Sequence, residues 1–210
     1  MIADILSDDV VAVEAFGELP HTQLFPEEEK YIANAVDKRR DEFITVRGCA
    51  RAALTSLGYP ATVLVPGERG EPRWPANIVG SMTHCAGYRA AAVAHGAKVR
   101  GVGIDAEVHA PLPEGVLNAI GLPEELTHLH ALNFGQHWDR LLFSAKESVY
   151  KAWFPLTGRR LGFADARIVL DPGGTFTATL LVAQPPVAVF HGRWIAREGL
   201  VLTAVTVPHD

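Results

Sequence analysis

Two long segments with helical periodicity, each followed by a run of strand-like segments, do most to constrain the fold of this 210-residue chain. The first opens at Pro26, with Glu27, Glu28 and Glu29 behind it. Proline suits a first helical turn, and acids suit the positive end of the helix dipole. Phe43, Val46, Ala50, Ala53 and Leu57 keep three-four spacing and Gly58 supplies a stop, so the pattern predicts one helix over residues 26–57. Arg40, Arg47 and Arg51, with Arg39 beside them, mark a second face that on its own reads as a solvated basic surface. The second helix is expected over 136–154, with Trp138, Leu141, Leu142, Ala145, Val149 and Trp153 as its buried stripe.

Strands are expected at 61–65, 78–83, 90–94 and 99–104 after the first helix, and at 166–170, 176–182, 187–196 and 200–207 after the second. Residues 1–25 read as a strand and loop, and 108–136 as a loop with one or two short helices. Helix then strands, twice over, predicts an α+β fold of two lobes divided near Glu107.

Composition narrows the class. A hydrophobic content of 48% fits a globular protein, and no apolar run reaches the ~20 residues a membrane helix needs. The N-terminal residues lack the basic start of a secretory signal, and two cysteines, Cys49 and Cys85, make no disulfide framework. A cytoplasmic protein that does not bind membranes is expected. A formal charge of −5 argues against a general nucleic-acid binder. No phosphate-binding loop of the Walker type occurs, and His128, His130 and His137 lack zinc-ligand spacing.

The chemistry concentrates in two motifs. Asp105 and Glu107 close an apolar Val/Gly run, and residues two apart on a strand point the same way, so both carboxylates aim at one place. The helical block from Phe143 to Lys151 adds Lys146, Glu147 and Lys151. Oxygen ligands suit Mg²⁺ bound together with substrate phosphates, and lysines meet phosphate as compact charges. Each motif alone is ordinary: Asp-x-Glu often ends a strand, and Glu147 with Lys151 is a common i,i+4 pair. Their combination is specific.

Gly101-Val-Gly-Ile-Asp-Ala-Glu107, followed by Phe143-Ser-Ala-Lys-Glu-Ser-Val-Tyr-Lys151, resembles the signature of the 4′-phosphopantetheinyl transferases. The likeness extends over roughly residues 30 to 207 and is nearest to the long, monomeric, surfactin-synthetase and enterobactin type. Lys38 to Arg47, Gly80 to Tyr88 and Tyr150 to Thr157 are similar to the actinobacterial members. The resemblance implies two similar α+β lobes in pseudo-twofold arrangement, each a long helix packed on a small, mostly antiparallel sheet. Residues 1–107 would form the nucleotide side and 108–210 the second lobe, with the active site between them.

The resemblance further implies transfer of the 4′-phosphopantetheine arm of coenzyme A to a serine of an apo acyl or peptidyl carrier protein, in fatty-acid, polyketide or nonribosomal peptide synthesis. Mg²⁺, or Mn²⁺ in its place, would lie on Asp105, Glu107 and Glu147. Glu147 and Lys151 would be catalytic. Coenzyme A would be held by Arg39, Arg47, Arg69, Thr83, His84, Asp105, Lys146 and Lys151. Many relatives have a lysine where this chain has Pro66, and Arg69 is the neighbouring charge. Two other functions share these residues: a Mg²⁺-dependent phosphohydrolase of a nucleotide diphosphate, and a binding module for coenzyme A or carrier protein without turnover.

Overall fold

In a computed structural model, residues 1–19, 22–132 and 135–209 are described. The eight strands are β1 (Val10–Phe16), β2 (Ile78–Cys85), β3 (Tyr88–His95), β4 (Val99–Val108), β5 (Ala166–Asp171), β6 (Thr175–Leu180), β7 (Val189–Arg197) and β8 (Leu200–Pro208). The helices are α1 (Pro26–Glu29), α2 (Asp37–Ser56), α3 (Val116–Ile120), α4 (Pro123–Ala131) and α5 (Trp138–Thr157). All named ladders are antiparallel. They form a three-stranded sheet in the order β1-β3-β2 and a five-stranded sheet in the order β4-β8-β7-β6-β5.

Each long helix covers one sheet, which gives two α+β lobes. Cys49, Ala50, Ala53 and Leu54 of α2 pack on Ala91 and Val93 of β3. Leu141, Leu142, Ala145, Val149 and Trp153 of α5 pack on Ile168, Phe176, Val201 and Val205. A third cluster, between the sheets, joins alanines of β3 to Val102, Ile104 and Ala106 of β4. β4 pairs with β8, so the strand that carries Asp105 belongs to the five-stranded sheet although it follows β3 in the chain.

β2 and β4 share no backbone ladder. Two hydroxyls of β2 stand in for one: Ser81 Oγ accepts from the Ile104 amide at 3.1 Å and Thr83 Oγ1 from the Ala106 amide at 3.0 Å. α5 lies close on β4 because β4 carries glycine where they meet. A Cβ on Gly103 would sit 1.9 Å from the Ser148 carbonyl oxygen.

The expected single helix over 26–57 is broken between Glu29 and Asp37. Glu28, fully buried, is the reason. Its carboxylate accepts from Arg51 Nη1 at 2.9 Å and from the Leu64 amide at 2.8 Å, which folds the first turn back across α2. The same contacts correct the strand expected at 61–65. There the Leu64 amide goes to Glu28 and its carbonyl accepts from Arg47 Nε at 2.8 Å, so the backbone is bound by side chains instead of a ladder. The edge strand β5 is treated similarly: Glu125, His128 and Lys146 take the Ile168 amide, the Leu170 carbonyl and the Ala166 carbonyl. An exposed row of free backbone groups is thereby avoided.

Candidate active site

Asp105, 5% exposed, lies where β4 passes beneath α5. Lys151 Nζ donates to its Oδ1 at 2.8 Å and to the Ile104 carbonyl at 3.1 Å. Asp105 Oδ2 is buried and has no hydrogen-bond partner among the described residues. A buried carboxylate oxygen left unmatched is costly, and a cation or a water would complete its set.

Glu107 and Glu147 crowd the same corner. Burial, then the charge of Asp105, pushes the Glu107 carboxyl above its usual range, against Arg140 and Lys151. Burial also pushes Glu147 up, with Lys151 opposing and Asp105 assisting. Arg140 Nη1 donates to Glu107 at 2.8 Å, and Arg140 also binds the Ala110 and Pro111 carbonyls. Among the described residues no three acidic, His or Cys side chains already converge as a closed ligand set. The donor chemistry still fits a hard divalent cation: three carboxylates near one another, one with an orphaned oxygen, and mutual repulsion for a cation to relieve.

Beside this corner opens a cavity of about 570 Å³ between α2, the 66–72 loop, β2 and α5. Arg39, Arg47, Arg69, His84, Glu147 and Lys151 all line it. Arg47 is fixed by bonds to the Leu64 and Phe43 carbonyls and lies over the Phe43 ring. Burial lowers its pKa to about 10, which leaves it charged at neutral pH. Arg39 Nη1 meets His84 Nε2 at 2.8 Å. Basic side chains line a cavity that ends in carboxylates and a lysine, charges of the kind that can meet a phosphate ester.

Thr83 and Lys146, both expected on coenzyme A, do not line this cavity. Thr83 was expected on the nucleotide beside His84, but consecutive strand residues face opposite sides. Thr83 is therefore buried at the seam, where it donates to Asp105 Oδ1 at 3.4 Å. Lys146 was expected near the diphosphate. Its ammonium lies 2.9 Å from the buried Glu125 carboxylate and is bonded to the Phe163 and Ala166 carbonyls, beside a smaller cavity that Glu147 also borders. Sequence reasoning also missed Glu42, three residues after Arg39, whose carboxylate reaches the His84 ring. The i,i+3 spacing to Arg39 was the available signal. Tyr150 lines the cavity next to Glu147.

Comparisons with known proteins show the family. The 4′-phosphopantetheinyl transferase N-terminal domain family matches residues 27–94, and the 4′-phosphopantetheinyl transferase superfamily matches 101–205. The chain is 54% identical to the 4′-phosphopantetheinyl transferase Svp of Streptomyces mobaraensis, over 99% of its own length and 89% of that protein. It is 48% identical to the 4′-phosphopantetheinyl transferase PptT of Mycobacterium tuberculosis, over 95% and 93%. It is 30% identical to enterobactin synthase component D of Escherichia coli O157:H7, over 82% and 79%. The chain belongs to the 4′-phosphopantetheinyl transferase superfamily. Its activity is transfer of the phosphopantetheine arm of coenzyme A to carrier-protein domains.

Proposed function

We propose that the cavity takes coenzyme A with its nucleotide end between Arg39, Arg47, Arg69 and His84, and its diphosphate against Glu147 and Lys151. The observation that carries this reading is the Lys151–Asp105 pair at 2.8 Å, with the other Asp105 oxygen unmatched, beside a cavity lined by arginines. Lys151 would neutralise phosphoryl oxygens, and Asp105 and Thr83 hold it in place. Asp105, Glu107 and Glu147 would hold Mg²⁺, with Mn²⁺ as a substitute on the same oxygens. When bound, the cation supplies positive charge to the diphosphate.

The carrier serine oxygen then attacks the phosphorus that bears the pantetheine. A new P–O bond forms, the bond to adenosine 3′,5′-bisphosphate breaks, and the serine proton passes to Glu147 directly or through one water. A positioned carboxylate within reach of the hydroxyl can act as its general base. Phosphoryl transfer depends chiefly on positioning and charge, and the chain's residues provide both.

The acceptors are proposed to be carrier domains of fatty-acid, polyketide or nonribosomal peptide synthases. One chain holds every group named here, which supports a monomer. Among the described residues no helix is long and apolar enough to cross a membrane. The test is to incubate the protein with coenzyme A, Mg²⁺ and an apo carrier protein and to weigh the carrier. A gain of one phosphopantetheine, with bisphosphate released only when carrier is present, is the expected result. Carrier-independent release would instead indicate a phosphohydrolase.

A further inference from the structure

His84 stands on the face of β2 that looks onto α2, and two side chains of α2 address its two ring nitrogens. Arg39 Nη1 lies 2.8 Å from Nε2, and a Glu42 carboxylate oxygen lies 3.5 Å from Nδ1. Glu42 is 7% exposed, and its other charged neighbour is Arg39 at 3.9 Å. Glu42 does not line the cavity, but it stands directly behind His84, which does, so it reaches a ligand there only through the ring.

A guanidinium can only donate, so Nε2 must accept. The ring is therefore the neutral tautomer with its proton on Nδ1, facing Glu42. The charged groups that face the ring pull both ways, with the balance toward the neutral form. Burial holds its pKa down and Glu42 opposes, while Arg39 on α2, Lys151 on α5 and Arg89, its cross-strand partner on β3, add to the lowering. Arg89 is itself buried, and its Nε has no hydrogen-bond partner among the described residues.

A phosphate arriving at Nε2 reverses the demand, because it needs an N–H there. Shifting the proton from Nδ1 to Nε2 would leave a bare lone pair against the Glu42 carboxylate. Taking a proton from solvent gives an imidazolium with one N–H for the phosphate and one for Glu42. We propose that Glu42 is a positioning residue for the nucleotide grip: it fixes the His84 ring through Nδ1 and makes binding of a phosphate monoester at Nε2 take up a proton. This rests on the reading that His84 meets the 3′-phosphate of coenzyme A. Once the anion occupies Nε2, Arg39 is released to pair with it.

Calorimetric titration of the protein with coenzyme A, in two buffers of unlike ionisation enthalpy near pH 8 and without divalent cation, tests the proposal. About one proton should enter per coenzyme A bound, and clearly fewer per dephospho-coenzyme A. In Glu42→Gln this difference should vanish. The KM for coenzyme A should rise about tenfold near pH 8, the worth of one pKa unit, and by less near pH 6, with kcat moving far less. Glu42→Asp should recover part of the loss. Absence of proton uptake by the unmodified protein, or undiminished uptake in Glu42→Gln, overturns the proposal. Equal affinity of the unmodified protein for the two nucleotides would instead show that His84 does not meet the 3′-phosphate.

Discussion

Lys151 and Asp105 meet across the seam between α5 and β4, Nζ to Oδ1 at 2.8 Å, and the contact spends only one of the two carboxylate oxygens. The pair sets the register of the helix on the strand and leaves one oxygen for a ligand. The predictions below concern what holds that pair in place and what it serves.

Asp105→Asn keeps the shape of the side chain and removes its charge. Transfer should fall by on the order of a hundredfold or more, the scale seen when one charge-stabilising group is lost. The Mg²⁺ concentration for half-maximal rate should rise. Rate measured against Mg²⁺, with circular dichroism as the control for folding, checks both. A folded variant with ordinary turnover and ordinary Mg²⁺ dependence would remove Asp105 from the site.

Lys146→Ala should act on stability instead of chemistry. It leaves Glu125, 1% exposed, as an unpaired buried charge and frees the Ala166 carbonyl on the edge of β5. Breaking such a pair costs about 3–5 kcal/mol. A lower melting temperature with an unchanged KM for coenzyme A is expected. A higher KM in a protein of normal stability would return Lys146 to the diphosphate.

The two glycines of Gly101-Val-Gly103 should differ sharply. At Gly103 a Cβ would stand 1.9 Å from the Ser148 carbonyl oxygen, while at Gly101 its nearest neighbour, the Ala152 carbonyl oxygen, is 3.4 Å away. Gly103→Ala must push α5 off β4 and separate Lys151 from Asp105, at a cost of about 1–3 kcal/mol or more. Both melting temperature and kcat should drop, whereas Gly101→Ala should stay near the parent in both.

Charge reversal of Arg159 and Arg160 tests where the carrier protein docks. Both are exposed just beyond α5, and Arg160 borders a smaller cavity that shares Glu147 and Tyr150 with the main one. Arg140, near the start of α5, is committed to Glu107 and two carbonyls. A carrier that docks here through acidic groups would meet both arginines, so Arg159→Glu with Arg160→Glu should raise the KM for carrier, more at low salt, and leave that for coenzyme A. Weakened coenzyme A binding alone would assign the arginines to the nucleotide.

Much of this site was legible because its residues are close in sequence. Alternation along 99–107 put Asp105 and Glu107 on one side, and helical periodicity put Lys151 one turn from Glu147. The same alternation rule, applied to Thr83 and His84, would have separated them; the motif that joins them hid it. The pairing of Lys146 with Glu125 was not legible, because Glu125 lies in a segment without strong periodicity. The break before α2 depends on burial of Glu28 against Leu64, a tertiary contact with no local sign. That β4 would pair with the last strand of the chain was equally hidden, since nothing in a strand names a distant neighbour.

The two hydroxyls that link β2 to β4 give the molecule a built-in gauge. In a sheet, amide protection depends on a whole ladder, but the amides of Ile104 and Ala106 owe theirs to one serine and one threonine. Deuterium uptake at those two positions therefore reports the opening of the seam between the lobes, separately from melting of either sheet. A substrate that clamps the lobes together would slow exchange there first.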